Sequence, residues 1–340
     1  MKAGICGLPN VGKSLLFKIL TGADVSVDLY PFTTINPNIG EVEVEDENLE
    51  FFKRIYPRKK ITKARIRIVD VAGLVKGASK GEGLGNQFLS HLRELDLLIV
   101  VLRFFHDENV SSTISKISPL EELEILKTEF ALSDIEILER RKDKLLPKAR
   151  SGDSDAKKEI QRIDELIDEI SKKQELSEDI EGLISGKKKI FVINSDEKNF
   201  EEAKKLPIEP KVIMNLKLEE ELKELSEDEK KEYRCEFPPF STPSELIKKI
   251  YKELGFITFY TIKGEEVRAW GVEKGINVKK AAGKIHSDME KNFIRAKCIN
   301  FEEFREKPSW KELEEEGKIK IVGADYILKD KDIIEIIFKS

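Results

Sequence analysis

The stretch "GLPNVGKSLLFKIL", Gly7 to Leu20, constrains the fold of this 340-residue chain more than any other feature. It carries the spacing Gly-x-x-x-x-Gly-Lys-Ser between a strand-like "KAGIC" and a helix-patterned "SLLFKILTG". In that order, strand, glycine turn and helix, backbone amides and a helix N-terminus converge on phosphate groups. At background residue frequencies the spacing arises by chance in about one chain in a hundred of this length. Gly7 and Gly12 let the backbone curl close to phosphate with no Cβ in the way. Lys13 is placed to reach β- and γ-phosphates, and the Ser14 hydroxyl to bind Mg²⁺. The bland alternative is a glycine-rich turn with a purely structural role.

Further apolar runs give this turn its setting. "ARIRIVDVAG" alternates at Ala64, Ile66 and Ile68 and places Asp70 at its end. "DLLIVVLRF" (96–104), "KKKIFVIN" (187–194) and "KVIMNL" (211–216) are strand-like and interleaved with helical segments. This pattern predicts an α/β fold with a mostly parallel sheet and helices on both faces. Between Leu120 and Ile184 the pattern turns wholly helical: Leu123, Leu126, Phe130 and Ile137 precede the turn "KARSGDSD", and Ala156, Ile160, Ile163, Ile167 and Ile170 follow it. An antiparallel helical hairpin inserted in the sheet domain is expected, whether functional or a solvated spacer. From about Gly255, short strands, one helix and a closing strand-turn-strand predict a small α+β domain. The expected division is 1–119 with 185–254 as nucleotide domain, 120–184 as insert and 255–340 as C-terminal domain.

Composition narrows the setting. No run of 18 apolar residues occurs, so no membrane span is expected. The N-terminus runs straight into a strand, with no visible secretory leader. Cys6, Cys235 and Cys298 lack metal-ligand or disulfide spacing and read as free thiols in a reducing cytoplasm. With 60 basic against 65 acidic residues, a net charge of −5, the chain is not one that coats DNA or other nucleic acid by bulk charge.

Two loops complete a phosphate site. Asp70, at a strand end, can hold magnesium through water, and Gly73 in the following "VAG" can touch a γ-phosphate. In "YPFTTINPN" a threonine, Thr34 in preference to Thr33, can complete the metal shell when γ-phosphate is present. The glycine-rich "DVAGLVKGASKGEGLGNQ" (70–87) is suited to a second ligand-ordered loop. These features predict a nucleotide switch rather than a small-molecule kinase. On the base side, the strand "IFVIN" ends in Asn194, Ser195, Asp196 and Glu197. Asn194 can serve N7 of any purine, whereas Glu197 stands where guanine-specific proteins of this kind use Asp, a substitution that weakens guanine selection without proving adenine preference.

The motifs "GLPNVGKS", "YPFTTINPN", "DVAGLVKGASKGEGLGNQFLSHLRELD", "NSDE" and "EVRAWGVEKG…AAGKIHSDMEKNFIRA" resemble those of the Obg-like ATPases, also called YchF, over nearly the whole chain. The resemblance implies a Ras-like P-loop NTPase domain, a helical hairpin insert and a C-terminal TGS domain of ubiquitin-like β-grasp fold. It also implies Mg²⁺-dependent hydrolysis of ATP over GTP, and association with ribosomes. It places nucleotide contacts on Asn10, Val11, Gly12, Lys13, Ser14 and Leu15, magnesium contacts on Ser14 and Thr34, and a base-side contact on Ser195. The chain departs from the family at Leu15, which replaces a Thr, and at Asn215 and Leu216, where a small-residue base-binding turn is common. Leu74 stands where many GTPases carry the Gln that orients water, and Ser112 where the family commonly has a His. His106 is the nearest imidazole candidate, while His91 and His286 read as structural or interface residues. Two other readings stay open: a GTPase of the Obg type, and a nucleotide-gated scaffold gripping RNA or protein through Arg268, Trp270, Lys279, Lys280 and Lys284.

Overall fold

The structure, a computed structural model, describes residues 2–22, 38–71, 84–106 and 118–339. Thr33, Thr34, Gly73, Leu74 and Ser112 lie outside them. Twelve strands form among the described residues: β1 (Lys2–Cys6), β2 (Asn38–Glu43), β3 (Lys60–Thr62), β4 (Arg65–Asp70), β5 (Leu97–Phe104), β6 (Lys188–Ser195), β7 (Lys211–Met214), β8 (Phe256–Thr261), β9 (Glu266–Glu273), β10 (Phe293–Asn300), β11 (Lys320–Val322) and β12 (Asp332–Phe338). The helices that position the site and the second core are α1 (Lys13–Thr21), α2 (Glu47–Ile55), α3 (Leu84–Arg93), α4 (Pro119–Arg150) and α5 (Ser154–Lys173).

Two compact units result. The first holds residues 1–40 and 67–246, the second 41–66 and 247–340. In the first, the sheet runs β2-β4-β1-β5-β6-β7. From β4 to β7 every pairing is parallel. β5 reads "LLIVVLRF" because both its faces are covered: Leu97 to Leu102 are all buried. Short strands followed by helices make the carboxyl ends of β1, β4, β5 and β6 converge, and that edge is where such sheets bind ligands.

The helical pair belongs to this first unit. α4 starts at Ser118, whose side chain accepts from Glu121 N while Glu121 accepts from Ser118 N at 2.7 Å, a reciprocal cap reinforced by Pro119 in the first turn. α5 starts at Asp153, which accepts from the amides of Asp155 and Ala156. Ala131, Leu138, Ile163, Leu166, Ile170, Leu176 and Leu183 bury one shared core between the helices and the return segment. Nearer its start, α4 buries Leu123, Leu126 and Phe130.

The second unit carries its own sheet, β11-β10-β12-β8-β9-β3. β8 and β9 form an antiparallel hairpin, β12 lies parallel to β8, and β10 pairs antiparallel with both β12 and β11. The helix Val278–Ile285 buries Val278 and Ala281 against Ile257, Phe259, Ala296 and Ile334. Residues 41–66, which the sequence division counts with the nucleotide domain, supply this unit with an edge strand and a helix. β3 runs parallel to β9, with Lys60 opposite Glu266 and Thr62 opposite Arg268. α2 inserts Phe52, fully buried, among the rings of Tyr260, Phe301 and Phe304 at 5.2 to 5.9 Å between centroids.

Candidate nucleotide-binding site

The turn from β1 into α1 is made by backbone conformations that only certain residues tolerate. Gly7 sits at φ 147°, and a Cβ there would lie 2.5 Å from the Val101 carbonyl oxygen of β5. Gly12 sits at φ 105° as the N-cap of α1, and a Cβ there would lie 2.7 Å from Nδ2 of Asn194. Asn10 adopts φ 62°, the left-handed conformation that Asn accepts more readily than most residues. Asn10 is exposed, Val11 fully buried, and Ser14 and Leu15 half-buried in the first turn of the helix. Packing alone therefore dictates both glycines.

Lys13 is buried, and its Nζ donates to the Leu8 carbonyl at 2.7 Å, folding the side chain back over the loop. Burial pushes its pKa down to about 8, against the pull of Asp70, Cys6 and Glu122, which favour the charged amine. Asp70 ends β4, and β4 lies beside β1 with Ile5 opposite Asp70. Its carboxyl is raised by burial and held down by Lys13 and by a hydrogen bond with the Ser14 side chain. A hydroxyl and a carboxylate therefore meet at the helix N-terminus beside a buried amine. Among the described residues no three His, Cys, Asp or Glu cluster as a metal cage.

At the end of β6 the structure shows what each residue of "NSDE" contacts. Asn194, at 6% exposure, donates Nδ2 to the Val11 carbonyl at 3.0 Å and accepts the Leu216 amide on Oδ1 at 3.3 Å. One Nδ2 hydrogen is left over for a ligand. Ser195 is buried and its hydroxyl donates to the Asp196 carbonyl at 3.0 Å. Glu197 is exposed. Asn215 is a helix cap that accepts the Leu218 amide, and Leu216 is fully buried with its side chain against Gly12.

Asp196, which sequence reasoning passed over, does the most positioning. It accepts the His106 amide at 3.1 Å and both the amide and side-chain NH₂ of Asn199, at 2.9 and 2.8 Å. The Asp-x-x-Asn spacing was the available signal, since Asp favours such local turns. Glu122 was passed over too: it is 5% exposed and accepts the Arg103 amide at 2.8 Å. Burial pushes its pKa up to about 7, moderated by that hydrogen bond, by the Arg103 charge and by Lys13. The His106 side chain is exposed. His286 caps a short helix by accepting the Asp288 amide, as a structural histidine would.

In the second unit, Trp270 is half-buried: its Nε1 donates to Thr261, it stacks on Phe259, and the Arg268 guanidinium lies 4.1 Å above its ring. Lys279, Lys280 and Lys284 are exposed on the helix Val278–Ile285.

Comparison with known proteins places the chain in a family. Residues 2–138 match the family described as 50S ribosome-binding GTPase, and residues 256–339 match YchF-GTPase_C, described as a protein of unknown function. The protein called ribosome-binding ATPase YchF in Escherichia coli O157:H7 is 36% identical over 359 residues, 99% of either chain. Its Bacillus subtilis counterpart is 34% identical over 363 residues, again 99% of each. The solved structure of the Schizosaccharomyces pombe YchF GTPase superposes with a TM-score of 0.82 at 28% identity, over 99% of this chain and 97% of that one. With a phosphate loop of this geometry and full-length relatives at this identity, the chain belongs to the YchF family of P-loop NTPases.

Proposed function

We propose that this protein is a Mg²⁺-dependent ATPase switch of the cytoplasm that works on the ribosome. The observation that carries the reading is the cradle itself: Lys13 folded over the phosphate loop at Leu8, with Ser14 and Asp70 in contact at the start of α1. Ser14 and Asp70 are hard oxygen donors, the kind Mg²⁺ prefers, and they number too few for an all-protein cage, as suits a metal shared with phosphates and water. A Mg²⁺ held there by Ser14 and Asp70 would neutralise charge building on the β- and γ-phosphates. Lys13 would add a buried positive charge to the same oxygens, and the amides at the start of α1 would donate to them. Asn10 and Val11 complete the phosphate side; Asn194, Ser195 and Glu197 form the base side. Gly73 and Thr34, outside the described residues, belong to the same proposal.

ATP preference rests on the loosened base side. Ser195 donates to the Asp196 carbonyl, Glu197 is exposed and one methylene longer than the Asp of guanine-specific proteins, and Asn215 and Leu216 are engaged in helix capping and packing. Relatives named ribosome-binding ATPases support both the nucleotide and the partner. Slow intrinsic turnover, raised by the ribosome, follows from Leu74 where a water-orienting Gln is common. The C-terminal unit is read as a TGS domain, its order β9-β8-β12-β10-β11 being that of a β-grasp sheet. Among the described residues no helix is long and apolar enough to cross a membrane.

Equilibrium titration with fluorescent ATP and GTP analogues at equal Mg²⁺ tests the nucleotide. ATP is expected to bind more tightly; tenfold tighter GTP, about 1.4 kcal/mol, overturns the preference.

A further inference from the structure

Arg103, next to last in β5, is opposite Asn194 of β6, and Asn194 holds the Val11 carbonyl of the phosphate loop. The same stretch of β5 lies under the loop, because the Val101 carbonyl is the atom that forbids a side chain at Gly7. From the other side, the Arg103 amide is held by the Glu122 carboxylate at 2.8 Å. Glu122 sits in the first turn of α4, where a negative charge is favoured by the helix terminus. The same helix, 32 residues long, forms one wall of the helical pair's core. A buried carboxylate on the insert thus meets the one strand on which both the loop and the base-side asparagine rest.

We propose that Glu122 is a positioning residue for nucleotide hydrolysis, through which the helical pair fixes the end of β5 and, by way of Asn194 and Val11, the seat of the phosphate loop. The proposal rests on the reading of the site as a hydrolase. It does not require Glu122 to touch nucleotide. Among the described residues its carboxylate accepts the Arg103 amide, and the positive charges of Arg103 and Lys13 act on it. Arg103 turns its own side chain along the strand, its guanidinium 4.5 Å from the Phe105 ring and its Nε on the Phe105 carbonyl at 3.4 Å. The next residue, His106, is pinned by Asp196. The four residues 103–106 are therefore fixed from two sides, by Glu122 on the insert and Asp196 on the base side. Removing the first leaves a partly buried amide without its acceptor.

The test compares Glu122→Leu, which removes the acceptor, with Glu122→Gln, which keeps one, in the full chain. Single-turnover hydrolysis of ATP, Kd for a Mg²⁺-bound non-hydrolysable ATP analogue and the Arg103 amide ¹H shift in a ¹⁵N spectrum are measured for each. Glu122→Leu is expected to lower the single-turnover rate at least tenfold, change Kd less than threefold and move the Arg103 amide upfield, with Glu122→Gln restoring rate and shift. A Glu122→Leu protein that hydrolyses at the wild-type rate overturns the proposal. So does a Glu122→Leu defect in rate, binding and melting temperature together that Glu122→Gln fails to rescue, which marks a purely structural residue. If the wild type itself does not hydrolyse ATP, the hydrolase reading fails. The Arg103 shift on binding the analogue, present in wild type and Glu122→Gln and lost in Glu122→Leu, then decides whether Glu122 positions the loop.

Discussion

Asn194 and Val11, 183 residues apart in sequence, are joined by a 3.0 Å hydrogen bond from the asparagine side chain to the loop carbonyl. The bond makes the base-side strand part of the phosphate loop's support. The second contact of Asn194, from the Leu216 amide, ties the end of β7 to the same point. Replacing Asn194 by Ala therefore leaves a buried carbonyl and a buried amide unmet, at a cost of about 1–3 kcal/mol. Urea denaturation should show that loss, and nucleotide affinity should fall at least tenfold. Unchanged affinity alongside lost stability would mean the loop keeps its shape without the asparagine.

Gly12 meets the same asparagine from the other side. A Cβ at this position would press on Nδ2 at 2.7 Å, in a left-handed conformation that L side chains seldom adopt. Gly12→Ala is expected to combine backbone strain, about 1–3 kcal/mol, with displacement of Asn194. The variant should lose nucleotide binding while its second unit stays folded. Near-native affinity by fluorescent-analogue titration would contradict this account of the turn.

Lys13 gives the site a pH dependence. Its pKa is lowered to about 8 by burial, below the ordinary 10.5, and bound polyphosphate restores the charged form. Affinity should be level below about pH 8 and fall above it, by up to tenfold per pH unit, with a proton taken up on binding. Calorimetry in buffers of different ionisation enthalpy reads that uptake. The stability of the free protein moves the opposite way. Between about pH 8 and 10.5 the unfolded chain holds the Lys13 proton and the folded one does not, so this residue makes the fold more stable as pH rises. Lys13→Met should abolish both trends.

Phe52 tests the make-up of the second unit. It is fully buried against three aromatic rings, so Phe52→Ala should cost about 3–5 kcal/mol. Asp46, the cap of its helix, also accepts from the Tyr260 hydroxyl at 2.6 Å, and Asn48 donates to that hydroxyl at 2.8 Å. A fragment of residues 247–340 lacks all of this and leaves β9 without β3. It should give poorly dispersed amide spectra that sharpen when residues 41–66 are fused to it. A well-dispersed spectrum from the fragment alone would show that the C-terminal segment is self-sufficient.

The contrast between these residues explains what sequence could convey. The loop, its two glycines and the flanking strand and helix are local, and spacing alone reveals them. Five strands of the first sheet, β1 and β4 to β7, were legible from their apolar patterns, continuous in β5 because it is covered on both faces, whereas β2, mostly exposed, carried no such signal. The attachment of 41–66 was not: Phe51 and Phe52 announce a helix with an apolar side but not its partner, and β3 is a three-residue strand pairing some 200 residues downstream. Glu122 and Asp196 were hidden for a different reason. One acidic residue in a first helical turn looks like any other until the strand it holds is known. Ser195 and Leu216 were legible as positions, but burial decides that the Ser195 hydroxyl turns to the Asp196 carbonyl and that the Leu216 side chain packs on Gly12.

Asp134 shows the same principle at the root of the helical pair. It is fully buried in α4 and accepts the amides of Ile184 and Ser185, at 2.8 and 2.7 Å, where the chain returns from the insert to β6. Arg93, at the end of α3, lies 3.8 Å from its other oxygen and donates to the neighbouring Ser133. Asp134→Ala strands two amides and a largely buried guanidinium, and should cost about 3–5 kcal/mol. Asp134→Asn keeps one acceptor oxygen and should cost less than half of that. Because burial raises the Asp134 carboxyl above its ordinary range, the folded state holds that proton to higher pH than the unfolded chain. The residue's contribution to stability therefore declines as pH rises through that window. Denaturation curves of wild type and Asp134→Asn should thus draw together as pH rises through the window and separate below it, whereas a gap that widens with pH would mean the carboxylate is the stabilised form and that Arg93, despite its distance, dominates the junction.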